Sequence, residues 1–316
     1  MSAEPRNARQ EAFARLDGLY ETRVLEPSPP ADESKMWFAD DPTERGEVPA
    51  GRQVVSPVTS GDVLWHDLAR DDPELAGWCA ERWLGAWRPL GPAPVNLAGT
   101  RLALHRVAEH LMKPVREHAN GKFGLRFTRG GFGTPFFCDD AQLRVEGTEL
   151  VVQEGAEARG APITTLAAGA DLVGDELMPP GLNCSDEPLV VDEEAARFLA
   201  DWYGFAASVL EQLRAEAGPE LDASRVQLWT EHFDLATELG AKDAGVRAGY
   251  GGSPGDERHS EPYLYVVPWG DTPAGELWNA QGLSGAELSY AELLAADDQR
   301  ANALEFMRAR RDALTA

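Results

Sequence analysis

Apolar side chains recur at helical spacing in three long segments of the chain. In the clearest of them, Asp192 can cap a helix, and apolar residues then repeat every three or four positions until Gly218. This pattern predicts a helix from residue 192 to about residue 216. The same spacing predicts helices over residues 100–119 and 289–314, with a kink or a stop at Pro114 in the first. Shorter patterns of this kind predict helices over residues 4–20, 73–87 and 167–174.

Alternating apolar and polar residues predict strands between these helices. Residues 141–145 and 149–153 alternate on either side of residues 146–148, a spacing typical of a β-hairpin. Residues 263–269 form the most apolar predicted strand, whereas residues 230–240 fit a helix or a strand equally well. Shorter strands are predicted over residues 122–127 and 162–166, and residues 226–229 are predicted as a short strand or the start of a turn.

The order of these elements predicts the fold class. Helices and strands do not alternate regularly as βαβ units, so a Rossmann or TIM-barrel fold is not expected. We predict an α+β fold with mostly antiparallel sheet in two packed halves. Residues 26–62 are rich in Pro and predict an extended N-terminal arm, with a disordered linker as the alternative. The predicted units are a helix and Pro-rich arm over residues 1–62, an α+β half over 63–178 and a second α+β half over 179–316.

The two predicted halves share a short motif order. A Glu-His pair at 109–110 precedes the run Gly-Phe-Gly at 131–133, and a Glu-His pair at 231–232 precedes Gly-Tyr-Gly at 249–251. Each run leads to a proline and then to a predicted strand. This order favours pseudo-duplicated halves, with chance similarity as the alternative. A duplication would place the halves around a pseudo-twofold axis, and ligand sites are common at such interfaces.

The charge of the chain argues against some classes of partner. The 29 basic and 53 acidic residues give a formal net charge of −24. Because this charge repels phosphate backbones and anionic lipids, neither nucleic acid nor a membrane is an expected partner. Met1 is followed by no apolar signal segment, and no apolar run reaches the roughly 18 residues of a membrane helix. The sequence therefore predicts an acidic, soluble, cytoplasmic protein.

Cysteine and histidine spacing gives no metal or redox motif. The three cysteines, Cys79, Cys138 and Cys184, are far apart, which predicts neither a disulfide framework nor a CxxC site. On a predicted helix, His105 and Glu109 share one face, but the His-Glu-x-x-His pattern of zinc enzymes is absent. We predict no metal site, and the sequence indicates no particular cofactor.

The densest polar cluster beside apolar residues contains Glu231, His232 and Asp234. In a strand, His232 and Asp234 would point to the same side, where a carboxylate can orient a histidine as a general base. These three residues are therefore the predicted catalytic residues. The alternative is a structural histidine that bonds to a neighbouring carboxylate and stabilises a turn.

Two glycine-rich runs, at residues 130–133 and 249–252, invite comparison with phosphate-binding loops. Neither contains the pattern Gly-x-x-x-x-Gly-Lys-Ser/Thr, and neither opens a convincing helix after a strand. We predict tight turns or bulges at both. Ser253, Asp256 and His259 are the residue types of a catalytic triad, but the proline directly after the serine favours a turn there too.

Four stretches of the chain form a recognisable set of loose motifs. They are Val-Asp-Glu-Glu-Ala-Ala-Arg-Phe at 191–198, His-Phe-Asp-Leu-Ala-Thr at 232–237, Ser-Tyr-Ala-Glu-Leu at 289–293, and residues 140–166. Through them, roughly residues 100–310 resemble an uncharacterised, mainly actinobacterial family of unknown function. The resemblance implies an α+β architecture and a cytosolic location. It implies no activity and no site residue.

Two functional hypotheses follow from these features. The first is a small-molecule-binding protein or enzyme with a pocket between the two halves, close to the predicted catalytic residues. The second is a non-catalytic protein-interaction or scaffold protein. The expected partners are a small molecule and, in a homodimer, a second copy of the chain. The predicted ligand-binding residues are Trp229, Tyr250, His259 and Trp269.

Overall fold

The computed structural model describes most of the chain from residue 87 onward. Before that point it describes only a pair of two-residue strands, β1 (Thr59–Ser60) and β2 (Val63–Leu64). The rest of the predicted arm and the helices predicted over 4–20 and 73–87 lie outside the described residues, apart from residue 87 itself. The described residues are 59–60, 63–64, 87–121, 123–128, 130–134, 141–154, 157–217, 219–224, 226–241 and 244–315.

The first long helix continues through Pro114, where the sequence predicts a kink or a stop. It begins as α1 (Leu97–Val107), continues as a π-helical turn (Ala108–Met112) and ends as α2 (Lys113–Asn120). Proline has no N–H for the carbonyl four residues earlier, and the π-turn changes the hydrogen-bond register just before it. A stop at Pro114 is therefore wrong, and the distortion takes the form of a π-turn.

Two further predicted helices are confirmed. The segment predicted over 167–174 is α3 (Leu166–Val173), and the segment predicted from residue 192 is α4 (Glu193–Ala215). Asp192 caps α4, because its carboxylate accepts a hydrogen bond from Ala195 N at 3.0 Å.

The single helix predicted over 289–314 is divided in two. A capping box of Ser289 and Glu292 starts α5 (Tyr290–Ala295), and α6 (Gln299–Thr315) follows after a short break. The break falls beside Asp298, whose carboxylate accepts a hydrogen bond from Ala301 N at 2.9 Å and so caps the second helix.

The middle of the chain forms a five-stranded antiparallel sheet. Each strand pairs with the next one along the chain, so this sheet is a meander. The predicted hairpin is confirmed, with Glu146 paired to Glu149 and with Gly147 at φ 58° in the turn. The strands are β3 (Arg126–Thr128), β4 (Gly131–Gly133), β5 (Ala141–Glu146), β6 (Glu149–Glu154) and β7 (Glu157–Pro162).

A second five-stranded antiparallel meander follows α4. The ambiguous segment 230–240 forms one of its strands. The strands are β8 (Gln227–Trp229), β9 (Asp234–Leu239), β10 (Ala248–Ser253), β11 (Tyr263–Pro268) and β12 (Ala286–Ser289).

One strand prediction and one turn prediction are wrong in detail. The strand predicted over 162–166 lies earlier, as β7, because Leu166 already begins α3. The turn predicted over 249–252 is the middle of β10. Its glycines serve close packing, since a Cβ at Gly252 would lie 2.8 Å from the Ala206 Cβ.

The two sheets meet at one edge. Leu125, just before β3, and Leu228 in β8 form an antiparallel bridge with N–H···O distances of 2.8 and 2.7 Å. This bridge places β3 beside β8 and joins the two meanders. The predicted α+β fold, with antiparallel sheet in two packed halves, is confirmed. The pseudo-duplication of the halves stays a prediction.

Helices cover one side of both sheets. Helix α4 contacts β3, β4, β9 and β10, and α6 contacts β11 and β12. A Cβ at Gly204 of α4 would lie 3.2 Å from the Phe127 ring, and one at Gly252 would lie 3.4 Å from Trp202. Phe127 and Gly252 therefore face the helices. Because side chains alternate along a strand, their neighbours in sequence point to the opposite side.

Candidate ligand-binding site

The side of the sheets that points away from α4 is polar, and we call it the polar face. Its members in the first sheet are almost completely buried, an unusual environment for such residues. The Arg144 guanidinium donates to Gln153 at 2.9 Å, and Gln142 donates to the Thr134 carbonyl at 2.9 Å. The polar face includes Arg126, Gln142, Arg144 and Gln153 in the first sheet and Gln227, Asp234 and Tyr265 in the second.

One tyrosine crosses the polar face of the second sheet. Tyr265 of β11 lies opposite Gly251 of β10, which lies opposite Ala236 of β9. The Tyr265 ring covers Gly251 so closely that a Cβ there would overlap the ring. From this position the Tyr265 hydroxyl donates a hydrogen bond to Asp234 Oδ2 on β9. The glycine therefore makes the Tyr265–Asp234 contact sterically possible.

Asp234 is a buried carboxylate with only part of its hydrogen-bonding capacity used. It is 5% exposed, and its Oδ1 atom has no hydrogen-bond partner among the residues that the structure describes. Burial raises the pKa of the Asp234 carboxyl above its usual range, and the hydrogen bond from Tyr265 opposes that shift. Burial and the nearby Asp234 charge likewise raise the pKa of Tyr265. The site thus holds a buried carboxyl group with one oxygen that lacks a donor among the described residues.

Gln227 of β8 is the second incompletely bonded group on this face. It is 3% exposed, and within the described part of the chain neither its Oε1 nor its Nε2 has a hydrogen-bond partner. Its side chain lies directly over Gly124, where a Cβ would overlap the amide. Gln227 pairs with Ala236, and the bridge between Leu125 and Leu228 makes Arg126 its neighbour in the other sheet. The amide therefore lies at the junction of the two halves.

A strained turn positions Asp234. Phe233, directly before it, has φ 56°, a conformation that costs a bulky residue on the order of 1–2 kcal/mol. Its ring stacks on His105 at 5.1 Å and packs edge-on against Phe132 at 5.0 Å. The Tyr203 hydroxyl donates to the Phe233 carbonyl at 2.7 Å. These contacts together hold the backbone just before β9 in its left-handed conformation.

Helix α1 also binds this turn. His105 Nε2 donates to the Thr230 carbonyl at 2.7 Å, and burial lowers the pKa of the His105 imidazole. His105 thus has a structural role, because it bonds to the turn that precedes Asp234 and contains Glu231 and His232.

The other two predicted catalytic residues lie on the surface of this turn. Glu231 accepts from Lys113 at 2.9 Å, and Lys113 also binds Glu109 at 3.0 Å. His232 is exposed, and no hydrogen bond joins it to Asp234, although the structure describes both. Glu231, His232 and Asp234 are therefore close along the chain, but only Asp234 is on the polar face of the sheet.

His259 lies on the far side of Tyr265 from Gln227. Its Nδ1 is 3.2 Å from Asp256 Oδ1, and its Nε2 is 3.3 Å from Glu287 Oε2. Its ring packs 4.3 Å from Tyr263, whose ring is in turn 6.2 Å from that of Tyr265. Because the two imidazole nitrogens point in different directions, Asp256, His259 and Glu287 do not converge on one ion. No group of three His, Cys, Asp or Glu side chains in the described residues could hold a metal.

The remaining predicted ligand-binding residues are divided between the two sides of the sheet. Trp229 pairs with Asp234 across β8 and β9, and its ring is 5.9 Å from that of Phe123. Tyr250 shares the helix-covered side of β10 with Gly252 and is buried there. Trp269 lies beyond the other end of β11. The structure thus brings Trp229 close to Asp234 and places Tyr250 and Trp269 elsewhere.

Two cavities lie away from the polar face. An open groove of about 540 Å³ lies between β12, α5 and α6, with Glu292 and Asn302 in its wall. An enclosed apolar cavity of about 30 Å³ lies between Leu111, Leu150 and Gly169. The second holds no more than a water-sized group.

Sequence reasoning missed Gln227 as a site residue. It falls in a predicted strand and alternates with Leu228, so the pattern correctly places it opposite the core. Polar residues in that position are ordinary on an exposed sheet face, and nothing in the sequence distinguishes this one as buried.

An apolar patch on the surface is the feature on which the interaction hypothesis depends. Val95, Leu102 and Val190 are exposed by 101%, 62% and 77%. Asn96 donates to Asp192 at 3.2 Å, which brings the starts of α1 and α4 together. Leu102 lies in α1, whereas Val95 precedes α1 and Val190 precedes α4.

Comparison with known proteins gives no relative. No protein-family model matches the chain, and no curated protein and no solved structure matches it either. The family resemblance drawn from the loose motifs therefore stays a prediction. Among the described residues, no helix is long and apolar enough to span a membrane.

Proposed function

We propose that the protein binds a small polar molecule on the polar face, where the two halves meet. The observation that carries this proposal is the buried Asp234 carboxylate, whose Oδ1 atom lacks a donor among the described residues. Leaving a buried polar group unsatisfied costs about 1–3 kcal/mol, and more for a charged group. A ligand that supplies the missing hydrogen bond would recover part of this cost on binding.

The surroundings of Asp234 support the same proposal. Gln227 contributes a donor and an acceptor that are also unused among the described residues. Ala236, between Gln227 and the Gly251 that the Tyr265 ring covers, places a small side chain at the centre of the face. Binding sites commonly combine a few convergent polar groups with apolar and aromatic walls.

Native mass spectrometry of the protein purified without added ligand tests the proposal. We expect a stoichiometric mass excess over the denatured chain, retained in the control variant His232→Asn and lost in Asp234→Asn. The two residues lie on either side of Phe233, but only Asp234 is buried. An excess that both variants retain, or no excess in any preparation, would contradict the proposal.

A further inference from the structure

We propose that the ligand is a small organic cation, a primary or quaternary amine, bound by Asp234 and the aromatic rings around it. This inference rests on the proposed function and adds the chemical class of the ligand. It comes from the combination of a buried carboxylate with three aromatic side chains on the same face of the sheet.

The strand register places the aromatic rings around Asp234. Trp229 is its direct partner on β8. On the other side, the pairing of Leu235 with Gly252 makes Ser253 the neighbour of Asp234, and Ser253 pairs with Tyr263. The faces of Trp and Tyr rings attract cations within about 6 Å of the ring centre, most strongly where water is excluded.

Tyr265 completes this arrangement. Its ring lies over Gly251, and its hydroxyl holds Asp234 Oδ2. The carboxylate is therefore fixed in orientation by a neutral donor, which itself contributes no positive charge to balance it. A primary ammonium group could donate to Oδ1 and at the same time balance the carboxylate charge, whereas a quaternary ammonium group has no N–H and could only balance that charge. A neutral ligand could supply a hydrogen bond but no charge.

Two cationic side chains of α1 and α2 are engaged with other partners. Lys113 binds Glu109 and Glu231 at 3.0 and 2.9 Å. Arg101 donates to the carbonyls of Pro254 and Asp256 at 3.2 and 3.1 Å. Neither contacts the Asp234 carboxylate. The net charge of −24 adds a general attraction for cations and a repulsion of anions.

Isothermal titration calorimetry with matched probes tests the ligand class. The probes are ethanolamine, choline and 3,3-dimethyl-1-butanol, which has the shape of choline without its charge. We expect choline or ethanolamine to bind the full-length protein at least tenfold more tightly than the uncharged isostere. Asp234→Asn should lose this preference, whereas Gly249→Ala, on the same face and with its new Cβ 4.0 Å from the Val267 carbonyl oxygen, should keep it.

A second variant separates charge recognition from a general loss of structure. Tyr265→Phe removes the hydroxyl that orients Asp234 but keeps the ring and the carboxylate charge, so both cations should bind more weakly while still binding more tightly than the uncharged isostere. Equal binding of choline and its isostere, or an unchanged preference in Asp234→Asn, would overturn the inference. A retained ligand that depends on Asp234 but is uncharged or anionic would overturn the ligand class alone. The absence of any retained ligand would contradict the proposed function as well.

Discussion

Replacing Gln227 by Met tests whether the amide of this residue is unsatisfied in the folded protein. Methionine has nearly the same length and shape but no strong hydrogen-bonding group, so the change removes the polar atoms and little else. Gln227 is 3% exposed, and neither amide atom has a partner in the described part of the chain. Burying an amide without hydrogen bonds costs about 1–3 kcal/mol in protein mutational data. Gln227→Met should therefore raise the free energy of unfolding of the ligand-free protein by about 1–3 kcal/mol.

Gln153 provides a matched control on the same face. It is also buried, but its Oε1 accepts a hydrogen bond from the Arg144 guanidinium at 2.9 Å. Gln153→Met deprives a buried charged group of an acceptor and should lower the free energy of unfolding by about 1–3 kcal/mol. The same substitution, at two buried glutamines of one face, is thus expected to change the free energy of unfolding in opposite directions.

Urea unfolding of ligand-free wild type and both variants measures these changes directly. In thermal unfolding, the Gln227→Met variant should melt roughly 2–6 °C above the wild type. If Gln227→Met destabilises the protein as much as Gln153→Met does, the Gln227 amide is satisfied in solution. The proposed polar binding site at the junction of the sheets would then have no unsatisfied group besides Asp234.

Three further predictions follow from the geometry of the site. Gly251→Ala should destabilise the protein by roughly 1–3 kcal/mol, because the new Cβ overlaps the Tyr265 ring, while Gly249→Ala should change stability by less than about 0.5 kcal/mol in the same urea experiment. Phe233→Ala should lower the free energy of unfolding by about 3–5 kcal/mol. Phe233→Gly should lower it by about 1 kcal/mol less, despite its smaller side chain, because φ at this position is 56°. An alanine variant more stable than the glycine variant would contradict this account of the turn. The raised pKa of Asp234 means that its contribution to stability is present below the usual carboxyl range, near pH 4, and is lost as pH rises through the folded-state pKa. The free energy of unfolding of Asp234→Asn relative to wild type should therefore increase with pH above about 4. Parallel pH profiles of the two proteins would exclude the shift.

Local features of the sequence were sufficient for several elements. The carboxylate of Asp192 followed by helical periodicity identifies α4 and its N-terminus, because capping and apolar spacing act within one or two turns. The hairpin around Gly147 is local for the same reason, since the turn and its flanking alternation are adjacent in the chain. The α+β class with antiparallel sheet follows from the order of such elements.

Predictions failed where a distant contact outweighs a local preference. Glycines at 249–252 suggest a turn, yet they form the middle of β10 because Tyr265 lies over one of them and α4 packs against another. Pro114 suggests a helix end, yet a π-turn before it lets the helix continue. Both outcomes depend on packing that the local pattern does not contain.

The candidate site shows the same division. The sequence determined that Glu231, His232 and Asp234 form a polar cluster, and that Gln227 alternates with apolar neighbours, because both properties are local. Only the tertiary structure decided that Asp234 and Gln227 are buried on one face while Glu231 and His232 remain on the surface. The physical reason is that the face a side chain occupies depends on the start of β9 after the left-handed Phe233, and its burial depends on the pairing of β3 with β8. These contacts join segments that are far apart in the chain, and no local period encodes them.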